Sequence, residues 1–342
     1  MSRHAEAPVS SSNSCRAWRA GAGRSSHTLP VAVLAVIISG GAAAQSLSDA
    51  PPEAPPTPRL EEVQVSAPEP RYVSPTLRDR IGRIWVPVFI DGQGPLRLVL
   101  DTGATRSALT HAAVARLGLE VDPKRTVMLR GTTGSARAQI VKARTVEVGD
   151  LLATRQTLVV VEDAFGGAEG VLATTALADR RILADFKRDR IEITRSKGRT
   201  AAPGFTVLPI KLLDRYVPWV EASVGGVRVK AVIDTGSQQT IGTPALRAAL
   251  ITKRREMAGR DEEVIGVTGD VQAGRSVASP RILLGNISVR NARINFVDLP
   301  IFERWRLSDE PALLIGMDVL GVLDTLVIDY HRRELQIRSA TR

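Results

Sequence analysis

The chain has 342 residues, 44% of them apolar and only 4% aromatic, and its 46 Lys and Arg outnumber 36 Asp and Glu for a formal charge of +10. That length accommodates two domains, and that apolar share describes a globular protein whose core rests on Val, Leu, Ile and Ala. One Cys and four His exclude a disulfide scaffold, a Cys-rich zinc site and the usual haem or iron–sulfur protein. No cofactor and no metal site is expected.

In chain order, Arg16, Arg19 and Arg24 precede the apolar run Leu29 to Ile38, and Ala42-Ala43-Ala44 follows. A basic region, a short apolar region and a small-residue site predict an export signal over residues 1–44, with an uncleaved anchor as the alternative. Export places the chain in the periplasm or outside the cell, and an association with the anionic envelope is compatible with its charge. Cys15 lies ahead of the apolar run and leaves with the signal, as does +3 of the +10, so the mature chain carries +7 and no Cys. Residues 45–80 hold eight prolines, which predicts a disordered or semi-rigid linker, or alternatively a propeptide over the active site.

Residues 81–342 contain an internal repeat. Leu98-Val99-Leu100-Asp101-Thr102-Gly103-Ala104 recurs as Ala231-Val232-Ile233-Asp234-Thr235-Gly236-Ser237. Each copy is preceded by a β-hairpin pattern, Ile84 to Leu96 around Asp91-Gly92 and Trp219 to Val229 around Gly225-Gly226. Each is followed by a helical stretch, His111 to Leu119 and Pro244 to Leu250. Next comes a Gly-bracketed turn, Gly131-Thr132-Thr133-Gly134 and Gly266-Val267-Thr268-Gly269. Both copies close on an apolar strand, Gly170 to Leu177 and Leu313 to Leu320, then an Asp-aromatic pair and a last strand. The expected organisation is mainly all-β, with lobes at 81–198 and 199–342. No dinucleotide loop, Walker lysine motif, HExxH or G-x-S-x-G is present; Gly274-Arg275-Ser276-Val277-Ala278 lacks the second glycine of the last.

A lone Asp-Thr-Gly occurs by chance in roughly one chain in ten of this length and reads as an Asx-turn. Two of them, each after an apolar strand in a matching repeat, point to paired carboxylates. Two such groups in contact share one proton, which makes one a general base and its partner a general acid. Gly103 and Gly236 let backbone amides approach the carboxylates, and the hydroxyls of Thr102 and Thr235 are placed to tie the two loops together. Ser237 stands where Ala104 stands in the first copy; its hydroxyl, bonded to Asp234, would make Asp234 the base and Asp101 the proton carrier.

These segments, with the Gly-bracketed turns and Leu314-Ile315-Gly316-Met317-Asp318, resemble the retropepsin-like aspartic peptidases and their bacterial secreted members. The resemblance covers nearly all of 81–342 and implies two retropepsin-like lobes fused into one chain, an internal pseudo-dimer that works as a monomer. It implies that Asp101 and Asp234 are the catalytic dyad of an endopeptidase, that Thr102 and Thr235 interlock beneath it, and that 131–134 and 266–269 are flap tips over an extended polypeptide substrate. Ala173 departs from the pattern, standing where the second copy has Gly316.

The competing readings are a peptide-binding or regulatory module that kept the fold without turnover, and an envelope-associated structural β-protein. His111 and His331 are isolated, which fits structural or surface roles. Lys253-Arg254-Arg255 and His331-Arg332-Arg333 read as solvated faces rather than a nucleic-acid site. Trp85, Trp219 and Trp305 are expected in the core or a groove wall, and Asp185, Asp318 and Asp329 as turn carboxylates.

Overall fold

The computed structural model describes residues 63–66 and 83–339, apart from 150, 164–165, 178, 189, 254–258 and 267. The expected signal, Cys15 and most of the linker lie outside these residues, as do Val267 and Arg254-Arg255.

Strands dominate the described residues, and the helices are short. Each lobe opens on a two-residue hairpin. Strands Trp85–Ile90 and Gln93–Asp101 meet at Asp91 and Gly92, whose φ values are 51° and 78°. Val217–Val224 and Val227–Ile233 meet at Gly225 and Gly226, at 54° and 81°. Two successive positive φ values give the turn whose twist matches that of paired strands, which is why Asp-Gly and Gly-Gly occupy it.

The returning strand carries the aspartate, and in both lobes it is flanked by the closing apolar strand in parallel. Gln93–Asp101 pairs with Gly170–Ala173, and Val227–Ile233 with Ala312–Ile315. The closing strands are buried along their whole length, so both faces are apolar, as parallel pairing in a sheet interior requires. The predicted helices form at His111–Arg116, capped by the Thr110 hydroxyl, and at Pro244–Lys253, which is longer than expected. The first stops short of Leu119 because Gly118 turns the chain at φ 61°.

A third sheet belongs to both lobes. Its order is Arg190–Arg195, Arg180–Asp185, Thr325–Asp329, Glu334–Arg338 and Thr206–Pro209. Arg180–Asp185 of the first lobe and Thr325–Asp329 of the second pair antiparallel about Leu183 and Val327. The lobes are thus joined by backbone hydrogen bonds, and one apolar cluster runs from Ile84 to Ile337 through both. Val63–Ser66, within the expected linker, adds a parallel strand to Ile287–Arg290 at an edge of the second lobe's sheet. That part of the linker is therefore paired rather than loose.

Leu335 is fully buried in the shared sheet, opposite Ile328 and Leu208. Leu335→Ala should cost about 2–5 kcal/mol, read by urea denaturation.

Candidate active site

The two aspartates end their strands side by side, and each is held by the turn that follows it. Gly103 and Ala104 donate their N–H groups to Asp101 Oδ1 at 2.8 and 2.9 Å. Gly236 and Ser237 do the same for Asp234 Oδ1 at 2.9 and 3.2 Å. The carboxyl groups also hydrogen-bond to each other. A Cβ on Gly103 would lie 2.6 Å from Asp234 Oδ2, and one on Gly236 would overlap the Asp101 carboxyl. Each glycine is therefore required by the carboxylate of the opposite lobe, not by a special backbone angle.

Beneath the pair the two threonines interlock. Thr102 N–H donates to Thr235 Oγ1 at 3.1 Å, and Thr235 N–H donates to Thr102 Oγ1 at 3.0 Å. Each hydroxyl then donates across to the other lobe, Thr102 to the Ile233 carbonyl and Thr235 to the Leu100 carbonyl, both at 2.6 Å. All four bonds are buried, so their loss would strand polar groups away from water.

Outside this core the halves diverge. Asp318 accepts from the Thr240 N–H at 3.0 Å and its hydroxyl at 2.7 Å, bracing the loop after Asp234. Burial pushes Asp318 up to about 6. The first lobe has Thr174 instead, whose hydroxyl donates to the Ala104 carbonyl at 2.7 Å. Ala173 is accommodated: it is fully buried, and its N–H donates to Ser107 Oγ at 3.0 Å, as Gly316 N–H donates to Thr240 Oγ1 at 3.2 Å.

The Ser237 expectation is corrected. Its hydroxyl donates to the Gln239 carbonyl at 2.8 Å, and only its backbone N–H serves Asp234. A different asymmetry bears on the dyad. Trp85 pairs with Val99, and the same register carried two residues on sets Arg83 opposite Asp101. In the second lobe Trp219 pairs with Val232, and the residue opposite Asp234 is Val217. Burial raises Asp101 above the usual carboxylate range, and its hydrogen bond from Asp234, the Gly103 and Ala104 amides and the Arg83 guanidinium offset this only in part. Burial and the neighbouring Asp101 charge hold Asp234 well above the usual carboxylate range. The Arg83 charge beside Asp101, with Val217 at the matching place in the second lobe, favours the shared proton on Asp234, the reverse of the assignment from Ser237. The buried Tyr330 phenol is in turn raised by burial and by the Asp101 charge.

Both Gly-bracketed turns are hairpin tips. Gly131 N–H donates to the Gly134 carbonyl at 2.9 Å between strands Val121–Arg130 and Ser135–Val148. Gly269 N–H donates to the Gly266 carbonyl at 3.0 Å between Gly259–Ile265 and Val271–Ala278. The tips touch: Gln272 Nε2 donates to the Thr133 carbonyl at 3.0 Å, and Gly134 and Gly266 leave room for Asp270 and Thr133. Between the first hairpin and the dyad lies a cleft of about 480 Å³. Ala108, Val161 and Val171 form an aliphatic wall, and Asp214, Ile301, Arg304 and Trp305 of the second lobe also line the cleft. Trp305 is thus a groove-wall residue. Trp85 instead stacks under Arg97 at 4.7 Å, and Trp219 lies against Lys211 at 5.0 Å.

Sequence reasoning missed Arg83, Ser107, Thr240 and the cleft arginines. Arg83 was hidden because a bulge between Val88 and Ile90 shifts the pairing by one residue from the register the Asp-Gly turn sets.

Two lobes that each contribute an Asp-Thr-Gly turn to one carboxyl pair, under paired hairpins, define the class of aspartic proteases. The family model described as Aspartyl protease matches residues 86–177 and 220–319, once per lobe, and the chain belongs to that family. No curated protein matches the chain.

The geometry generates two predictions. Thr102→Val removes the acceptor for Thr235 N–H and the donor for the Ile233 carbonyl, and should cost about 1–3 kcal/mol per stranded group in urea denaturation, with Thr102→Ser close to wild type. A carboxyl group whose folded pKa is raised keeps its proton where the unfolded chain has lost it, so its stability contribution falls as pH rises through that window. Asp234→Asn should therefore match wild type in acid and become the more stable protein as pH rises from the ordinary aspartate range upward, measured by Tm across pH.

Proposed function

We propose that the protein is an aspartic endopeptidase that hydrolyses peptide bonds in extended polypeptide segments. The observation that carries the reading is the hydrogen-bonded pair Asp101–Asp234, each carboxyl raised by burial, at the floor of a cleft roofed by a hairpin.

Ionised Asp101 takes a proton from a water molecule as its oxygen attacks the scissile carbonyl carbon, while Asp234 gives its proton to the carbonyl oxygen. The product is a neutral gem-diol with the proton now on Asp101. Asp101 then protonates the amide nitrogen, Asp234 recovers a proton from one hydroxyl, and the C–N bond breaks to release a carboxylic acid and an amine. The dyad ends as it began. The N–H pairs at each turn fix the two carboxylates within the tolerance such proton transfers need. An extended peptide fits between dyad and flap, held through its backbone like an added strand. One chain supplies both aspartates, so the active unit in this reading is the monomer, acting after export.

Asp101→Asn and Asp234→Asn should each lower cleavage of a mixed peptide library by at least about a thousandfold, within the range general acid–base groups contribute. The wild-type rate should fall in acid as Asp101 takes a proton and again toward alkaline pH as Asp234 loses one. Peptide binding by wild type without cleavage at any pH from about 3 to 8 would contradict the reading.

A further inference from the structure

The walls of the cleft break the symmetry of its floor. Five residues beyond each aspartate stand Arg106 in one lobe and Gln239 in the other. Gln239 is fully engaged: its Nε2 donates to Glu262 Oε1 at 2.8 Å, and its Oε1 accepts from Asn295 Nδ2. The matching positions in the first lobe are Val127 and Val159. Val127 stands four residues before Gly131, as Glu262 stands four before Gly266. Val159 N–H donates to the Ser107 carbonyl at 3.0 Å, as Asn295 N–H donates to the Thr240 carbonyl at 3.0 Å. The first lobe thus puts a cation where the second has an amide, and valines where the second has that amide's partners.

Arg130, beside the flap tip, repeats the pattern: the matching residue is Ile265. Arg106 and Arg130 both line the cleft and are exposed, and neither forms an ion pair among the described residues. Arg304, the remaining cleft arginine, is bonded to Asp214 at 2.9 Å. Two guanidinium groups therefore face the substrate space beside the aliphatic wall of Ala108, Val161 and Val171. A guanidinium fork matches a carboxylate with paired donors, and closure of a cleft over such a pair strengthens it by excluding water.

We propose that Arg106 and Arg130 set the substrate class: extended segments carrying an Asp or Glu side chain beside a small aliphatic one. This rests on the cleft being a peptide site, and it deepens the endopeptidase reading. The acidic side chain gives Arg106 the polar partner that Gln239 already has in Glu262 and Asn295, and the aliphatic one fills the Val- and Ala-lined wall.

The test uses the full chain bearing Asp101→Asn, titrated by fluorescence anisotropy with labelled peptides of one aliphatic host sequence that carry Glu, Gln or Lys at each position in turn. The expected result is that Glu binds about tenfold more tightly than Gln at one or two adjacent positions, the scale of one charge-assisted hydrogen bond. Added salt should weaken that preference. Arg106→Gln in the same background should abolish or sharply reduce it, and Arg106→Glu should turn it toward Lys. Equal binding of Glu and Gln peptides at every position, no peptide binding, or a preference unchanged by both Arg106→Gln and Arg130→Gln overturns the proposal. Discrimination of Glu in binding, with no cleavage by the wild-type chain, supports this inference while overturning the hydrolytic reading.

Discussion

Two carboxyl groups buried against each other hold one negative charge between them, because a second would face both its neighbour and the loss of water. Asp101 and Asp234 meet this condition, and the surrounding structure follows from it. Glycine is needed after each threonine because the opposite carboxyl occupies the space of a Cβ. The turn amides converge on one oxygen of each aspartate and hold it in place. The threonine interlock fixes the separation of two loops that come from different lobes. The shared sheet around Leu183 and Val327 holds those lobes in register on a larger scale.

A duplicated chain is free to differ where a dimer of identical subunits is not. Here the conserved part of the duplication is the floor, and the differences surround it. Arg83 faces Asp101 where Val217 faces Asp234, so the proton has a preferred side. Asp318 braces one loop and Thr174 the other. Arg106 and Gln239 give the two walls different chemistry. A peptide has a direction, and a cleft with unlike ends is able to read it.

The repeat made much of this legible from the amino-acid sequence. Paired Asp-Thr-Gly segments after apolar runs, Asp-Gly and Gly-Gly turns, and Gly-bracketed tetrapeptides each encode a local backbone demand, and each appears in the structure where the pattern placed it. What was not legible depends on which atom a side chain chooses among several near it. Ser237 had the Asp234 carboxylate and the Gln239 carbonyl within reach, and local geometry decided for the carbonyl. The strand Val63–Ser66 was hidden because proline density around it speaks of extension, while its pairing depends on an edge more than two hundred residues away. The joining sheet has the same character, since no local signal tells Arg180–Asp185 to pair with Thr325–Asp329.

Asp101 and Asp234 should titrate as one unit that keeps a single proton, favoured on Asp234. Carbon-13 NMR of the aspartate carboxyl carbons in the full chain, assigned with the two single Asn variants and followed across pH, reads this directly. Two well-separated ionisation steps shared by both resonances are expected, with the upper step well above the ordinary aspartate range and dominated by Asp234. Two independent carboxyl groups ionising together in the ordinary range would contradict it.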